Sequence, residues 1–245
     1  MSALDGSGTP ESVWSAWPAP SSWPELDLTD PPSRVVVVAP HPDDEVLGVG
    51  GLLRRLTDRG VSALIVAVTD GEASHPGSPT LTPEQLRDRR ADERSDALDL
   101  LCITAEVQRL RLPDGGVADR ESELEASLRA VLRSDDWCVA TWTGDGHPDH
   151  EAVGRAAAAA ATAAGARLLE VPIWTWHWAV PDDARVPWDR ARQVPLSGEV
   201  AAAKRRAVDA YRSQITPLSD DPADAAILPP PILARLLRPF ETLLI

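Results

Sequence analysis

The stretch Arg34-Val35-Val36-Val37-Val38-Ala39-Pro40-His41-Pro42-Asp43-Asp44-Glu45 joins two kinds of information. Its first half is a β-branched run that suits a strand, and Pro40 ends that run where charged and imidazole side chains begin. Farther along, short apolar runs at Ala63 to Val68, Val107 to Leu110, Trp137 to Thr141 and Leu168 to Ile173 read as more strands. Helical patterns lie between them, at about Leu47 to Arg59, Pro83 to Leu101, Glu121 to Arg133 and Pro148 to Ala164, the last closed by Gly165 as C-cap. This alternation predicts an α/β fold: a Rossmann-like, largely parallel sheet with helices on both faces and right-handed crossovers. There is no internal repeat.

The polar residues fall just beyond the carboxyl ends of those strands. His41 to Glu45 follow the first, Asp70 to Glu72 the second, Asp114 and Gly115 the third, His147 to His150 the fourth, and Trp174 to Trp178 run out of the fifth. In an open parallel sheet these ends share one edge, where ligand crevices form. The active site is therefore expected there.

Length and charge narrow the classes. The 245 residues, 43% hydrophobic, suit one large domain over residues 34–245, preceded by a Pro/Ser-rich arm over 1–33 that cannot build a core itself. Trp14, Trp17 and Trp23 give that arm apolar surface with which to pack on the domain. A net charge of −14 opposes nucleic acid and anionic lipid as partners. No stretch has the form of a signal peptide or membrane span, and Cys102 and Cys138 read as core residues, so a cytoplasmic protein is expected. A homo-oligomer is left open.

Two imidazoles and a carboxylate can hold one divalent ion and keep a coordination position open for water, whose proton a nearby uncoordinated carboxylate can take. Asp43 and Asp44, consecutive in a loop, can divide those two tasks. His147 and His150 sit three apart where Pro148 marks a first helical turn, so one can ligate while the other faces substrate. Asp149 is available to fix an imidazole's tautomer through its other ring nitrogen. Helix-opening acids alone would explain the carboxylates but not three of the chain's five histidines.

At this point the chain resembles the PIG-L/LmbE-like zinc-dependent N-acetylglucosaminyl deacetylases. The likeness is carried by Pro40-His41-Pro42-Asp43-Asp44-Glu45, Thr69-Asp70-Gly71-Glu72, Arg90 and Glu93, Leu112-Pro113-Asp114-Gly115, His147-Pro148-Asp149-His150, and Lys204 to Ile215 with Ala210-Tyr211-Arg212-Ser213-Gln214. The resemblance implies that His41, Asp44 and His150 bind Zn2+, that Asp43 is the general base, and that a protonated His147 polarises the acyl oxygen. It further implies substrate contacts for Arg90 and Asp114. The substrate would be a small N-acylated amino sugar, losing acetate to leave a free amine.

Other readings are weaker. His41 and Asp43 with distant His150 also spell the facial triad of non-haem iron oxygenases, which belongs on an antiparallel jelly roll. Gly48, Gly50 and Gly51 suggest a dinucleotide loop but fall within the first helix. A non-catalytic glycan-binding module would not require the spare carboxylate. Trp174, Trp176 and Trp178 alternate as in a strand, with packing as the first expectation, and Glu199 to Gln214 reads as one amphipathic helix. His75 is expected on a surface loop and, with His177, outside the metal set.

Overall fold

The computed structural model describes residues 6–245; the first five residues of the expected arm lie outside this range. In chain order the elements are α1 (Glu11–Ser15), β1 (Arg34–Ala39), α2 (Asp44–Thr57), β2 (Ser62–Ala67), α3 (Pro83–Leu100), β3 (Ala105–Arg109), α4 (Glu121–Val131), β4 (Asp136–Thr141), α5 (Pro148–Ala164), β5 (Arg167–Val171), α6 (Thr175–Trp178), β6 (Ala191–Pro195), α7 (Gly198–Val208), α8 (Arg212–Ile215), α9 (Pro230–Leu236) and β7 (Phe240–Leu244). The sheet runs β3-β2-β1-β4-β5-β7-β6. Its first five strands pair in parallel, and β7 and β6 close one side antiparallel. A jelly roll, and with it the iron-oxygenase reading, does not fit this topology.

The valine run explains the layering. Successive side chains of a strand point to opposite faces, so Val35, Val37 and Ala39 enter one core with α2 and α7 residues such as Leu52, Leu53 and Val208. Val36 and Val38 enter a second core on the other face with Leu124, Leu128, Val153 and Ala157 of α4 and α5. The alanines of α5 allow it close to the sheet, and Gly154 lies where a Cβ would stand 2.6 Å from the Thr141 carbonyl oxygen. Strand order reverses between β1 and β4, so the loops leaving those two strands diverge and open a crevice between them.

Several expectations are corrected. Helix α2 starts at Asp44 rather than Leu47, which makes the acidic motif itself the first turn. Trp174 to Trp178 is a helical turn and not a strand, because backbone amides of Ile173, Trp174 and Thr175 are drawn to the Asp145 carboxylate and leave the sheet. The helix expected over Glu199 to Gln214 breaks after Val208 and resumes as α8. Cys102 is exposed, at a turn with φ 51°, whereas Cys138 is buried in β4. His75 is buried, its Nδ1 against the Ser74 hydroxyl. Among the described residues no helix is long and apolar enough to cross a membrane.

Candidate active site

Three side chains, one from the β1–α2 turn, one from the first turn of α2 and one from α5, converge on one point. His41 Nδ1 and His150 Nε2 stand 3.2 Å apart, and Asp44 Oδ2 lies 3.3 Å from each. These three groups could hold a metal ion. Tetrahedral coordination with bonds of about 2.0–2.1 Å sets donor atoms about 3.3 Å apart, so the separations suit an ion such as zinc. Their electrostatics suit one too. Burial works against charge on His150, yet the Asp44 charge and bonds to Asp145 and Asp44 raise its imidazole to about 9. His41 is likewise raised well above its ordinary value, burial being outweighed by Asp114, Asp149 and Asp44. Burial pushes Asp44 up, but the two imidazoles hold it below the usual carboxylate range. Two nitrogens this close cannot both direct a proton at each other, while the surroundings favour positive charge on both rings. A single cation between them meets that demand.

The outer nitrogens are already committed. His41 Nε2 faces Asp114 Oδ1 at 3.2 Å and Asp149 Oδ2 at 3.3 Å. His150 Nδ1 faces Asp145 Oδ2 at 2.8 Å. Carboxylates there fix the tautomers that leave His41 Nδ1 and His150 Nε2 as free lone pairs. Burial opposes ionisation of Asp114, but the His41 bond and charge bring it to about 2. Asp149 also accepts from the amides of Gly115 and Val117. A second grouping, His41 with His147 and Asp149, also brings three donor atoms within 4.8 Å of one another. Its Asp149 oxygens are occupied by those amides, and His147 Nδ1 accepts from the Asp149 amide at 3.2 Å.

Asp43 stands apart from the donor cluster. Its Oδ2 accepts from Arg90 Nη2 at 2.9 Å, and Arg90 is pinned by the carbonyl oxygens of Gly71 and Pro42. Burial pushes the Asp43 carboxyl up to about 7 against the pull of Arg90. His147 is lowered to about 4 by burial and then by positive charge on His150 and His41. Since its Nδ1 accepts a backbone N–H, a neutral ring carries its proton on Nε2.

These groups line one cavity of about 280 Å³. His41, Asp43, Asp44, Arg90, Asp114 and His147 form its polar side, and Leu47, Ile173, Trp174, Ile227 and Leu228 its apolar side. Arg90 and Glu93 do not form the exposed pair that helix spacing suggests. Both are buried, Glu93 accepting from the Ser213 amide and hydroxyl. Glu72 Oε1 accepts from the Asp114 amide, bracing the loop after β3. The residue that motif reading missed is Asp145, fully buried, which binds the second nitrogen of His150 and three downstream amides. Its sequence signal was weak: an acid between Gly144 and Gly146, two residues before a histidine.

Residues 36–161 match the family described as "PIG-L: GlcNAc-PI de-N-acetylase". The chain is 30% identical over 99 residues to a 1D-myo-inositol 2-acetamido-2-deoxy-alpha-D-glucopyranoside deacetylase of Kineococcus radiotolerans, covering 39% of this chain and 27% of the relative. It is 29% identical over 132 residues to the diacetylchitobiose deacetylase of Thermococcus kodakarensis, covering 49% and 46% respectively. The chain thus spans less than half the length of either relative. Among solved structures, the conserved protein TT1542 from Thermus thermophilus superposes with a TM-score of 0.53 at 32% identity, over 74% of this chain and 80% of that one.

Proposed function

Because this chain belongs to the PIG-L family, we propose that it is a hydrolase that removes an N-acyl group, acetyl in the simplest case, from a small glucosamine-containing molecule. The observation that carries the reading is the division of labour between neighbouring carboxylates. Asp44 turns toward two imidazoles, while Asp43 is drawn aside by Arg90 into the same cavity as His147. Two relatives are named for removing acetyl groups from N-acetylglucosamine joined to a second ring, which supports the substrate class.

In this reading His41, Asp44 and His150 hold a divalent ion, zinc, which when bound supplies a polarised water and a Lewis acid for the acyl oxygen. Asp43 takes a proton from the attacking water, and its tether to Arg90 keeps it off the ligand set. His147, with Nδ1 occupied by the Asp149 amide, offers Nε2–H to the acyl oxygen as negative charge grows there. Asp43 then returns the proton to the amine nitrogen as the C–N bond breaks, leaving a carboxylate and a free amine. Leu47, Ile173 and Trp174 exclude water from one side of the cavity.

The test is substitution with two readouts. Asp43→Asn is expected to keep its metal, measured by elemental analysis, and lose on the order of 10²–10⁴ in kcat on N-acetylated glycosides. Asp44→Ala and His150→Ala are expected to lose the metal itself. Full turnover by the Asp43 variant would overturn its assignment as base.

A further inference from the structure

Helix α2 is broken inside the cluster Gly48-Val49-Gly50-Gly51, where Val49 takes φ −140° and ψ 19°. An unbroken α-helix would bond the Gly51 amide to the Leu47 carbonyl oxygen. Instead a buried ion pair bridges those two groups. The Gly51 amide donates to Glu241 Oε1 at 2.7 Å, Lys204 Nζ meets the same oxygen at 2.7 Å, and Lys204 Nζ also donates to the Leu47 oxygen at 2.8 Å. The Leu52 amide takes the other Glu241 oxygen at 2.8 Å. Lys204 comes from α7 and Glu241 from β7, only 1% and 3% exposed. Gly51 leaves room for this approach: a Cβ there would stand 3.1 Å from Glu241 Oε1 and 2.3 Å from Leu196 Cδ2. A side chain inserted into the helical ladder is a sufficient cause of such a kink.

The break divides α2 by task. The turn before it carries Asp44, one of the three donor groups, and Leu47, which lines the catalytic cavity. The body after it buries Leu52, Leu53 and Leu56 in the core. Glu45 of the first turn accepts from the Tyr211 hydroxyl at 3.2 Å and faces Arg94 of α3 at 3.4 Å, so neighbouring elements grip this turn directly. Stability does not account for the insertion. Desolvating two charges cancels most of their attraction, and well-packed apolar replacements of a buried ion pair are often neutral or stabilising. What the insertion changes is direction: the donor-bearing turn no longer follows the axis of the helix body, and its carbonyl end is fixed by Lys204.

We propose that Lys204 and Glu241 are positioning residues for the metal site: inserted into the α2 ladder, they set the angle at which its first turn presents Asp44. The proposal rests on the reading of His41, Asp44 and His150 as zinc donors. Its test compares two uncharged replacements in the full-length, zinc-loaded protein. Lys204→Met with Glu241→Leu leaves the Gly51 amide free to rejoin Leu47, whereas Lys204→Met with Glu241→Gln conservatively keeps an acceptor oxygen for that amide. The leucine pair is expected to show helical dihedrals at Val49 in its crystal structure. It should bind zinc about 10–100-fold more weakly, by competition with a chromogenic chelator, at a urea midpoint no lower than that of the glutamine pair. The glutamine pair should keep Val49 near φ −140° and its zinc affinity within about threefold of the natural chain. Equal zinc affinity in the natural chain and both pairs overturns the proposal. So does an affinity loss that only follows the urea midpoint, or unfolding of both the leucine pair and Lys204→Met with Glu241→Met, since either makes the ion pair a structural tie alone. A natural chain that binds no zinc defeats the metal reading instead, and the Val49 dihedrals of the leucine pair still decide whether Lys204 and Glu241 set the turn.

Discussion

Asp145 holds the site together from just outside the motif. It fixes His150 through Nδ1 and gathers the backbone of Ile173, Trp174 and Thr175 around one buried carboxylate. Asp145→Ala is therefore expected to weaken zinc binding about 10–100-fold, read by competition with a chromogenic chelator. Affinity equal to that of the natural chain would mean the imidazole is oriented by packing alone. The donor set was legible in the sequence because His41, Asp44 and His150 sit in two compact motifs beside predicted strand ends. Asp145 was not, because three of its partners lie 28 to 30 residues downstream and are backbone amides, which carry no residue signature. The Arg90 bond to Asp43 was equally hidden: helix spacing suggested Glu93 as a partner, and burial redirected both side chains.

Helix α5 presents the donor His150 and packs on β4 through a glycine. A methyl at Gly154 would stand 2.6 Å from the Thr141 oxygen and 2.9 Å from the Thr143 nitrogen, both backbone atoms that cannot swing aside. Gly154→Ala should cost about 1–3 kcal/mol in urea melts and loosen zinc as the helix shifts. Unchanged stability would show that α5 can lift without strain. The segments that carry Ser74 and Ile227 to the cavity are latched together by Asp224, whose carboxylate accepts from the hydroxyls of Ser78, Thr80 and Ser219. Burial opposes the charge on Asp224, but the three hydroxyls lower its carboxyl below the ordinary value. A depressed folded pKa contributes stability that is complete above the unfolded value, about 3.9, and lost as pH falls through the folded one. Asp224→Asn should accordingly lower the urea midpoint at pH 7 and leave a smaller difference near pH 3. A constant difference across that range would sink the latch.

The five parallel strands and four main helices were readable from their alternation, with β1, β2 and β4 marked by continuous buried runs, although β3 and α3 are mostly polar. The tryptophan segment misled because Trp-Thr-Trp-His-Trp alternates like a strand, while an acid elsewhere in the chain bends it into a helical turn. Strands β6 and β7 also escaped, for Ala-Arg-Gln-Val-Pro and Phe-Glu-Thr-Leu-Leu each mix charged or polar residues into a short run that follows no predicted helix.

Across the protein as a unit, the arm behaves as part of the core. Trp14 is 3% exposed, packs edge-on to Trp176 at 5.0 Å, and donates its indole N–H to the Trp176 carbonyl oxygen. Arg238 reaches back to Glu11 on the same side. Trp14→Ala should destabilise the entire fold by about 3–5 kcal/mol, seen as one cooperative unfolding transition at lower denaturant. A loss confined to local opening at α1 would argue for a detachable arm.

Past α1 the arm runs beside β6, where the Leu26 amide donates to the Gln193 carbonyl oxygen and the Gln193 amide donates to that of Pro24. One margin of the sheet is thereby sealed by the chain's own beginning. Among the described residues, β3 at the opposite margin has no strand beyond it, and Val107 there is 40% exposed. The protein is thus lopsided in its tendency to self-associate: unwanted pairing between copies would start at β3, and a charged residue at Val107 is the natural place to suppress it.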